Sequence, residues 1–405
     1  MNYLKRTVEA AIAKAAAERK VVMISGLRQV GKSTMLRSLC ADGRAYVELK
    51  ELTAAEAAAD PGHFFESHPA PAVIDEMQLA PALIPALADS VGKNDAAGQY
   101  LIGASQRGDL PEAAAAALGR DIAHFELLPL SVWEQCGWGD RQVRYLPGPE
   151  VWEPRLFRRG VLDTWESVWE GGLPAARTQD CEERTRGLDA MIDAWIDRDA
   201  AGLTRIDKRV GFRKFLRALA FHSGQALNFA SIGATAGISP ETIRRWYPIA
   251  EATGLVKVLP AFPGEVGKRL QKTPRYFMVD TGLIAHLLGI ASPVEMARHA
   301  MAPNFLKTFF VIELMKSWLH TGAVPKFSYM RDNKGFEVDL VIENEGKCHC
   351  VALTTSRKPA DPEVRCLKWL IESGKLPLGM CAVIGLTDEP YMVSDNVVAH
   401  SIWDI

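Results

Sequence analysis

Val21-Val22-Met23-Ile24-Ser25-Gly26-Leu27-Arg28-Gln29-Val30-Gly31-Lys32-Ser33-Thr34 is the stretch that decides the fold. An apolar run passes into G-x-x-x-x-G-K-[ST], the pattern of a buried strand, a tight glycine turn and a helix start. Gly26 and Gly31 let the backbone curl so that successive N–H groups point inward. The helix beginning near Lys32 adds the positive end of its dipole. The pattern predicts a cradle for phosphate oxygens, with contacts from Gly26, Arg28, Gln29, Val30, Gly31, Lys32, Ser33 and Thr34. Lys32 is expected to reach the β- and γ-phosphates, and Ser33 to offer its hydroxyl to Mg²⁺. ATP with Mg²⁺ is the ligand this chemistry implies.

Ala72-Val73-Ile74-Asp75-Glu76 is a second apolar strand, and it ends in two acids. Ligands bind at the carboxyl ends of strands in open α/β sheets. Asp75 is therefore expected to hold the Mg²⁺ through water. Glu76 is placed to polarise an attacking water as a general base. Ser105 follows the strand Tyr100-Leu101-Ile102-Gly103-Ala104; it either hydrogen-bonds the water or γ-phosphate or caps a turn. Arg120, after Gly119 at the end of an alanine-rich helix, either stabilises transition-state charge, in its own chain or a neighbour, or is solvated.

A chain of 405 residues is too long for one ordinary core, so two or three domains are expected. The chain is 48% hydrophobic and 24% charged, as in soluble globular proteins. No apolar run approaches the roughly 20 residues that span a bilayer, and the alanine-rich start of mixed charge reads as a helix, not a signal peptide. Seven scattered cysteines favour a reducing cytoplasm. Cys348-His349-Cys350 has metal-binding residue types, but no second pair lies nearby to complete a zinc site.

The net charge of −2 hides an asymmetry. Thr204 to Arg275 carries 13 Lys+Arg and 4 Asp+Glu, a balance of +9, which leaves −11 for the rest. Such a segment either meets a polyanion or neutralises an acidic neighbouring domain.

The first third alternates strands with helices, which predicts a parallel sheet with covered faces. Residues 137–178 contain Trp138, Trp152, Trp165 and Trp169 and read as an irregular connector packing its aromatics on the first domain. A mostly helical stretch follows from Cys181. Phe212–His222 reads as an amphipathic helix, and a short helix and glycine turn lead to Ser239-Pro240-Glu241-Thr242, a cap followed by a first-turn proline. The next helix carries Arg244 and Arg245, and a strand follows it. Helix, turn, helix, strand is winged-helix grammar. It serves either contact with double-stranded DNA or packing between domains. From near Arg275 a further α/β module is expected, with a strongly apolar helix over Asn304–Leu319.

The order of these pieces resembles a family of prokaryotic AAA+-type ATPases that join a P-loop domain to a winged helix and a restriction-endonuclease-like (PD-(D/E)XK-like) domain. The likeness rests on Gly26–Thr34, Ala72–Gln78, Leu101–Gln106, Leu118–Arg120 with Pro129-Leu130-Ser131, Asp280-Thr281-Gly282-Leu283, and Glu337-Val338-Asp339. It implies an Mg²⁺-ATP site of Lys32, Ser33, Asp75 and Glu76, with Ser105 as a sensor and Arg120 as an arginine finger. It also implies a nuclease-type site from Glu313, Asp339 and a strand carrying an acid and a lysine. Here that strand reads Val351-Ala352-Leu353-Thr354, with Ala352 and Thr354 at those two positions. A lone carboxylate holds a catalytic metal poorly, and threonine does not replace an ammonium. The expectation is a catalytically dead nuclease fold. The expected organisation is an ATPase core at 1–135, a connector at 136–203, a winged helix at 204–262 and the nuclease-like domain at 263–405. The partner is DNA through the basic segment, or a protein; the subunit number is open.

Overall fold

The computed structural model describes residues 3–105, 110–149, 160–177, 180–200, 209–266, 270–359, 361–387 and 389–405. Gln106, Trp152 and the parts of the basic segment at 204–208 and 267–269 lie outside the described residues.

The first unit contains α1 (Val8–Glu18), β1 (Val21–Gly26), α2 (Lys32–Ser38), β2 (Ala45–Glu48), α3 (Glu51–Ala59), α4 (Pro61–Ser67), β3 (Ala72–Asp75), α5 (Leu83–Gly92), β4 (Tyr100–Ser105), α6 (Leu110–Leu118), β5 (Ile122–Glu126) and α7 (Val132–Gln135). Its five strands are parallel, in the order β2-β3-β4-β1-β5. Successive residues of β1 divide between two cores: Val22 and Ile24 pack on one face, Val21 and Met23 on the other. A strand buried on both faces has no polar side, which is why it reads as an unbroken apolar run.

α8 (Val161–Glu170) and α9 (Cys181–Ala194) follow, the latter running into a π-helical turn at Trp195–Ala200. Then come α10 (Arg209–Phe221), α11 (Phe229–Ala236), α12 (Pro240–Ala252), β6 (Val256–Leu259) and β7 (Arg275–Met278). β6 and β7 form an antiparallel pair, Val256 opposite Met278. β7 therefore sits with β6 and not in the last sheet, and strand pairing crosses the expected boundary at 262/263. α8 is a regular helix packed on α13 (Thr281–Leu288) and α14 (Pro293–Arg298). Trp169 donates to the Ile290 carbonyl (2.9 Å), so this part of the tryptophan-rich segment packs on later helices, and its rings join the core shared with the first unit.

The last unit holds α15 (Ala302–Leu319), β8 (Lys326–Arg331), β9 (Glu337–Asn344), β10 (Lys347–Leu353), α16 (Asp361–Ser373), β11 (Cys381–Gly385), β12 (Tyr391–Ser394) and β13 (Val397–Ser401). Its strands lie in the order β12-β13-β11-β10-β9-β8, with parallel pairs at the centre and antiparallel pairs towards the edges. α15 is buried along nearly its whole length, and its apolar residues share one core with the first unit and the intervening helices. Among the described residues, no helix is long and apolar enough to cross a membrane.

Candidate nucleotide site

The carboxyl ends of β1, β3 and β4 converge. Gly26 is in register with Ser105 on β4, and Asp75 ends β3 beside it. A Cβ on Gly26 would lie 2.2 Å from the Leu127 carbonyl oxygen, so the loop leaves β1 where no side chain fits. Gly31, at φ 98°, caps the start of α2 in the left-handed region that glycine adopts freely. Gln29 is also left-handed, at φ 63°, an uncommon conformation for a residue with a side chain. Lys32 is 4% exposed, and its ammonium donates to the Gly26 and Leu27 carbonyls, at 2.9 Å each. Ser33 is half-buried and Thr34 exposed on the first turn of α2.

Asp75 is fully buried. Its Oδ1 accepts the Glu76 N–H (2.9 Å) and its Oδ2 accepts the Tyr46 hydroxyl (2.6 Å). Burial, then the hydrogen bond to Asp75 and its charge, push the Tyr46 phenol up, so it stays a donor. Gly103 makes room for this carboxylate: a Cβ there would lie 2.2 Å from Asp75 Oδ1. Glu76 turns out of the strand with φ 62°. Its carboxylate lies 4.0 Å from Arg28 and accepts from the Gln78 amide. Gln78 in turn accepts the Ser105 N–H (2.8 Å). Ser105 is 2% exposed, and its Oγ has no hydrogen-bond partner among the described residues. An orphaned hydroxyl beside the loop suits a group that meets a ligand.

Arg6, ahead of α1, supports the loop from beneath. It donates to the carbonyls of Val30 (2.9 Å) and Leu128 (2.7 Å) and pairs with Glu134 (3.1 Å). Glu134 is fully buried and also lies 3.2 Å from His320, the residue that caps the end of α15. Burial by itself would raise its carboxyl; Arg6, then His320 and the Ser131 N–H, outweigh burial and hold it well below the usual range. Glu134 and Ser131 form the capping box of α7. Arg6, Tyr46, Gln78, Gly103 and Glu134 carry no site signal of their own in the sequence, although Gln78 and Gly103 fall within stretches that bear the family likeness. Only the Ser131-x-x-Glu134 spacing is a signal there, and it signals a cap, not an anchor for a loop.

The structure does not bring Arg120 to this site. It lies in a 3-10 turn before β5, whose first residue pairs with Val21 at the start of β1. Arg120 is thus at the amino end of the sheet, about five strand residues, or roughly 17 Å, from the phosphate loop. No arginine side chain spans that distance, so in this structure Arg120 does not reach the loop of its own chain. Its side chain is exposed.

The nuclease-type candidates are also dispersed. Glu313 accepts the Val132 N–H (3.0 Å) and pairs with Lys316 (2.7 Å), which donates to the Leu130 carbonyl (3.0 Å). It docks α15 on the first unit and is no partner of Asp339. Asp339 is buried, pairs with Lys307 (2.8 Å) and Arg275 (3.4 Å), and accepts the Leu353 N–H (2.8 Å). Ala352 packs with Leu367 and Leu370 of α16, and Thr354 lies against Gly385. Arg244 and Arg245 are both exposed near the start of α12, with Arg244 over the Phe229 ring (5.6 Å).

Residues 18–136 match the family model of an AAA domain. Residues 162–294 match a domain of unknown function, DUF8612, and residues 304–405 another, DUF4143. The first unit is thus a P-loop nucleotide-binding domain of AAA type. The chain is 25% identical over 399 residues to the uncharacterized proteins Rv2008c of Mycobacterium tuberculosis and Mb2031c of Mycobacterium bovis, covering 98% of this chain and 83% of each relative. Among solved structures, a signal transduction ATPase with numerous domains and a tetratricopeptide repeat sensor, from Pyrococcus horikoshii, aligns at TM-score 0.27 and 11% identity. That alignment covers 78% of this chain and 47% of the other, so less than half of the larger protein is spanned. Protein VC1899 of Vibrio cholerae aligns at TM-score 0.18 and 10% identity, over 95% and 94% of the two chains. At these scores neither likeness bears on the fold.

Proposed function

We propose that the chain is an Mg²⁺-dependent ATPase whose nucleotide state controls how its later units engage DNA or a protein partner. One observation carries the proposal: loop, acid pair and orphaned serine meet at the carboxyl ends of three adjacent strands. The donors fit a hard cation. Ser33 and Asp75 present only oxygen, and no cluster of three or more acid, histidine or cysteine ligands forms a protein-only cage among the described residues. Ser33 and Asp75 would hold Mg²⁺, which when bound neutralises charge on the β- and γ-phosphates.

The rest follows from this chain's own groups. Lys32 exchanges two carbonyl acceptors for phosphate oxygens, a gain because a charge-assisted bond to an anion is the stronger one. Glu76 orients and polarises the attacking water, and Ser105 Oγ supplies a hydrogen bond to the water or γ-phosphate. Arg120 acts from a neighbouring subunit, which makes the active form an oligomer. The loop is wired to the later units: Leu27 and Arg28 line a small apolar void with Met191, Trp195, Leu216 and Leu255. Lys257 of β6 pairs with Glu126 at the end of β5. The β6–β7 hairpin behind α12 serves as the wing, and Arg244 and Arg245 as phosphate contacts.

A second function, a nucleotide-held switch with little turnover, draws on the hold of Gln78 and Arg28 on Glu76, since a carboxylate already engaged by two donors must be released before it can orient a water. Calorimetry and phosphate release test both. Lys32→Ala should lose ATP uptake, while Glu76→Gln should bind ATP and turn over slowly. Normal turnover by Glu76→Gln removes Glu76 from its role, and wild-type binding without turnover selects the switch. Absence of ATP or ADP uptake by the folded wild type overturns the proposal.

A further inference from the structure

A cavity of about 440 Å³ opens between the α10–α11 connection, β7, the first turns of α15 and the β8–β9 pair. Arg275, Lys307, Arg331 and Glu337 supply its charge. Glu337 lies 3.0 Å from Arg275, 3.0 Å from Lys307 and 3.6 Å from Arg331, and Asp339 behind it pairs with the first two. Three cations thus face two carboxylates, an excess of one positive charge. Gln225, Ser231 and Asn304 add neutral hydrogen-bonding groups to the wall. Asn304 and Lys307 stand in the first turns of α15, an 18-residue helix without a side-chain cap, so its positive end adds to the field.

Arg275 itself is held in place by burial and by its contacts. Arg275 is 3% exposed, yet its Nε has no hydrogen-bond partner among the described residues. The guanidinium lies 4.4 Å over the Tyr329 ring, and its other two nitrogens hold the acids. The Nε is itself inaccessible, so the guanidinium acts on the cavity as a fixed positive charge and not as a free donor.

We infer that this cavity is a binding site for a small phosphorylated ligand, of the size of a mononucleotide. The volume suits one. The positive charge of two guanidinium groups and an ammonium suits the multiply charged oxygens of a phosphate ester. The cationic excess disfavours a metal ion, because both acids are already neutralised. The site is separate from the phosphate loop, and it occupies the place where the nuclease-type acid Asp339 stands. Its occupancy does not depend on the reading of Lys32.

The test is calorimetric titration of full-length Lys32→Ala protein with AMP and with pyrophosphate, which takes the phosphate loop out of the measurement. Saturable uptake is expected, weakening as salt is raised. Arg331→Glu and, separately, Asn304→Asp should weaken it by about tenfold or more. Both positions are at least partly exposed, and unchanged urea midpoints establish that the variants fold. No saturable uptake of either probe by Lys32→Ala protein overturns the inference, as does uptake indifferent to both cavity variants. Uptake of a 5′-phosphorylated oligonucleotide but of neither small probe also overturns it, and gives the cavity to a strand end.

Discussion

Asp75 shows how much of this site depends on a residue that is not there. Its carboxylate fits only because Gly103 has no Cβ. Gly103→Ala should displace the carboxylate and also press on Leu36, whose Cδ1 would be 2.5 Å away. The expected cost is about 1–3 kcal/mol of stability. Beyond that, the Mg²⁺-dependent part of ATP affinity should fall more than the Mg²⁺-independent part, by calorimetry with and without chelator. His400 offers a second residue-scale test. Burial pushes its imidazole down to about 4, against a weaker upward pull from the backbone at Gly148. Between the ordinary histidine value and about 4, the unfolded chain binds a proton that the native protein refuses, so stability must fall as pH drops through that window. His400→Gln preserves a partner for the Tyr145 hydroxyl, now 2.7 Å from His400 Nδ1, and should flatten that limb in urea melts taken against pH.

At the scale of elements, α15 is a strut. Its amino end carries Lys307 at the cavity, and its carboxyl end carries Glu313, Lys316 and His320 against the segment after β5. Lys316 and Glu313 are both nearly inaccessible, at 4% and 5% side-chain exposure, so their pairing is a buried one. Breaking it from one side strands a charge. Lys316→Met should cost about 3–5 kcal/mol by urea unfolding, while the double replacement Lys316→Met with Glu313→Leu should recover much of that loss. An additive double variant would show that the pair does not act as a unit. Gly171 and Gly172 make a comparable joint. Gly172 N–H donates to Asp280 (2.6 Å), which also caps α13 through the Leu283 N–H (2.8 Å), and Gly172 O accepts from Leu130 (2.9 Å). The Asp280-Thr281-Gly282-Leu283 motif is thereby explained as a clasp between elements.

For the whole molecule, charge and assembly are the testable quantities. If the basic segment meets DNA phosphates, affinity should fall steeply and linearly with the logarithm of salt. Reversing Arg244 and Arg245 together should lower both affinity and slope in a fluorescence titration; an unchanged slope takes the DNA role away from α12. The position of Arg120 makes a sharper demand on assembly. Mixing Arg120→Ala with Lys32→Ala protein should restore turnover above either alone, because one variant supplies the intact loop and the other the arginine. No gain on mixing would leave Arg120 a solvated helix-end residue.

The phosphate loop, the acid-ended strand and the parallel sheet were legible because each is set by local rules: glycine where the backbone must turn, apolar runs where a strand is covered twice, an acid at a strand end. Sequence alone thereby determined the fold class and the residues at the mouth of β1. It failed where partners come from far along the chain. Nothing near Glu313 shows that it reaches Val132, nor near Arg120 that it stands at the wrong end of β5. Nothing near Arg6 reveals that it holds the loop through Val30. The neutralisation of Asp339 by Lys307 and Arg275, and the cavity beside them, exist only once β7, α15 and β9 meet. Ionic and hydrogen-bonding partners are chosen by distance in space, and distance in space is what tertiary packing decides.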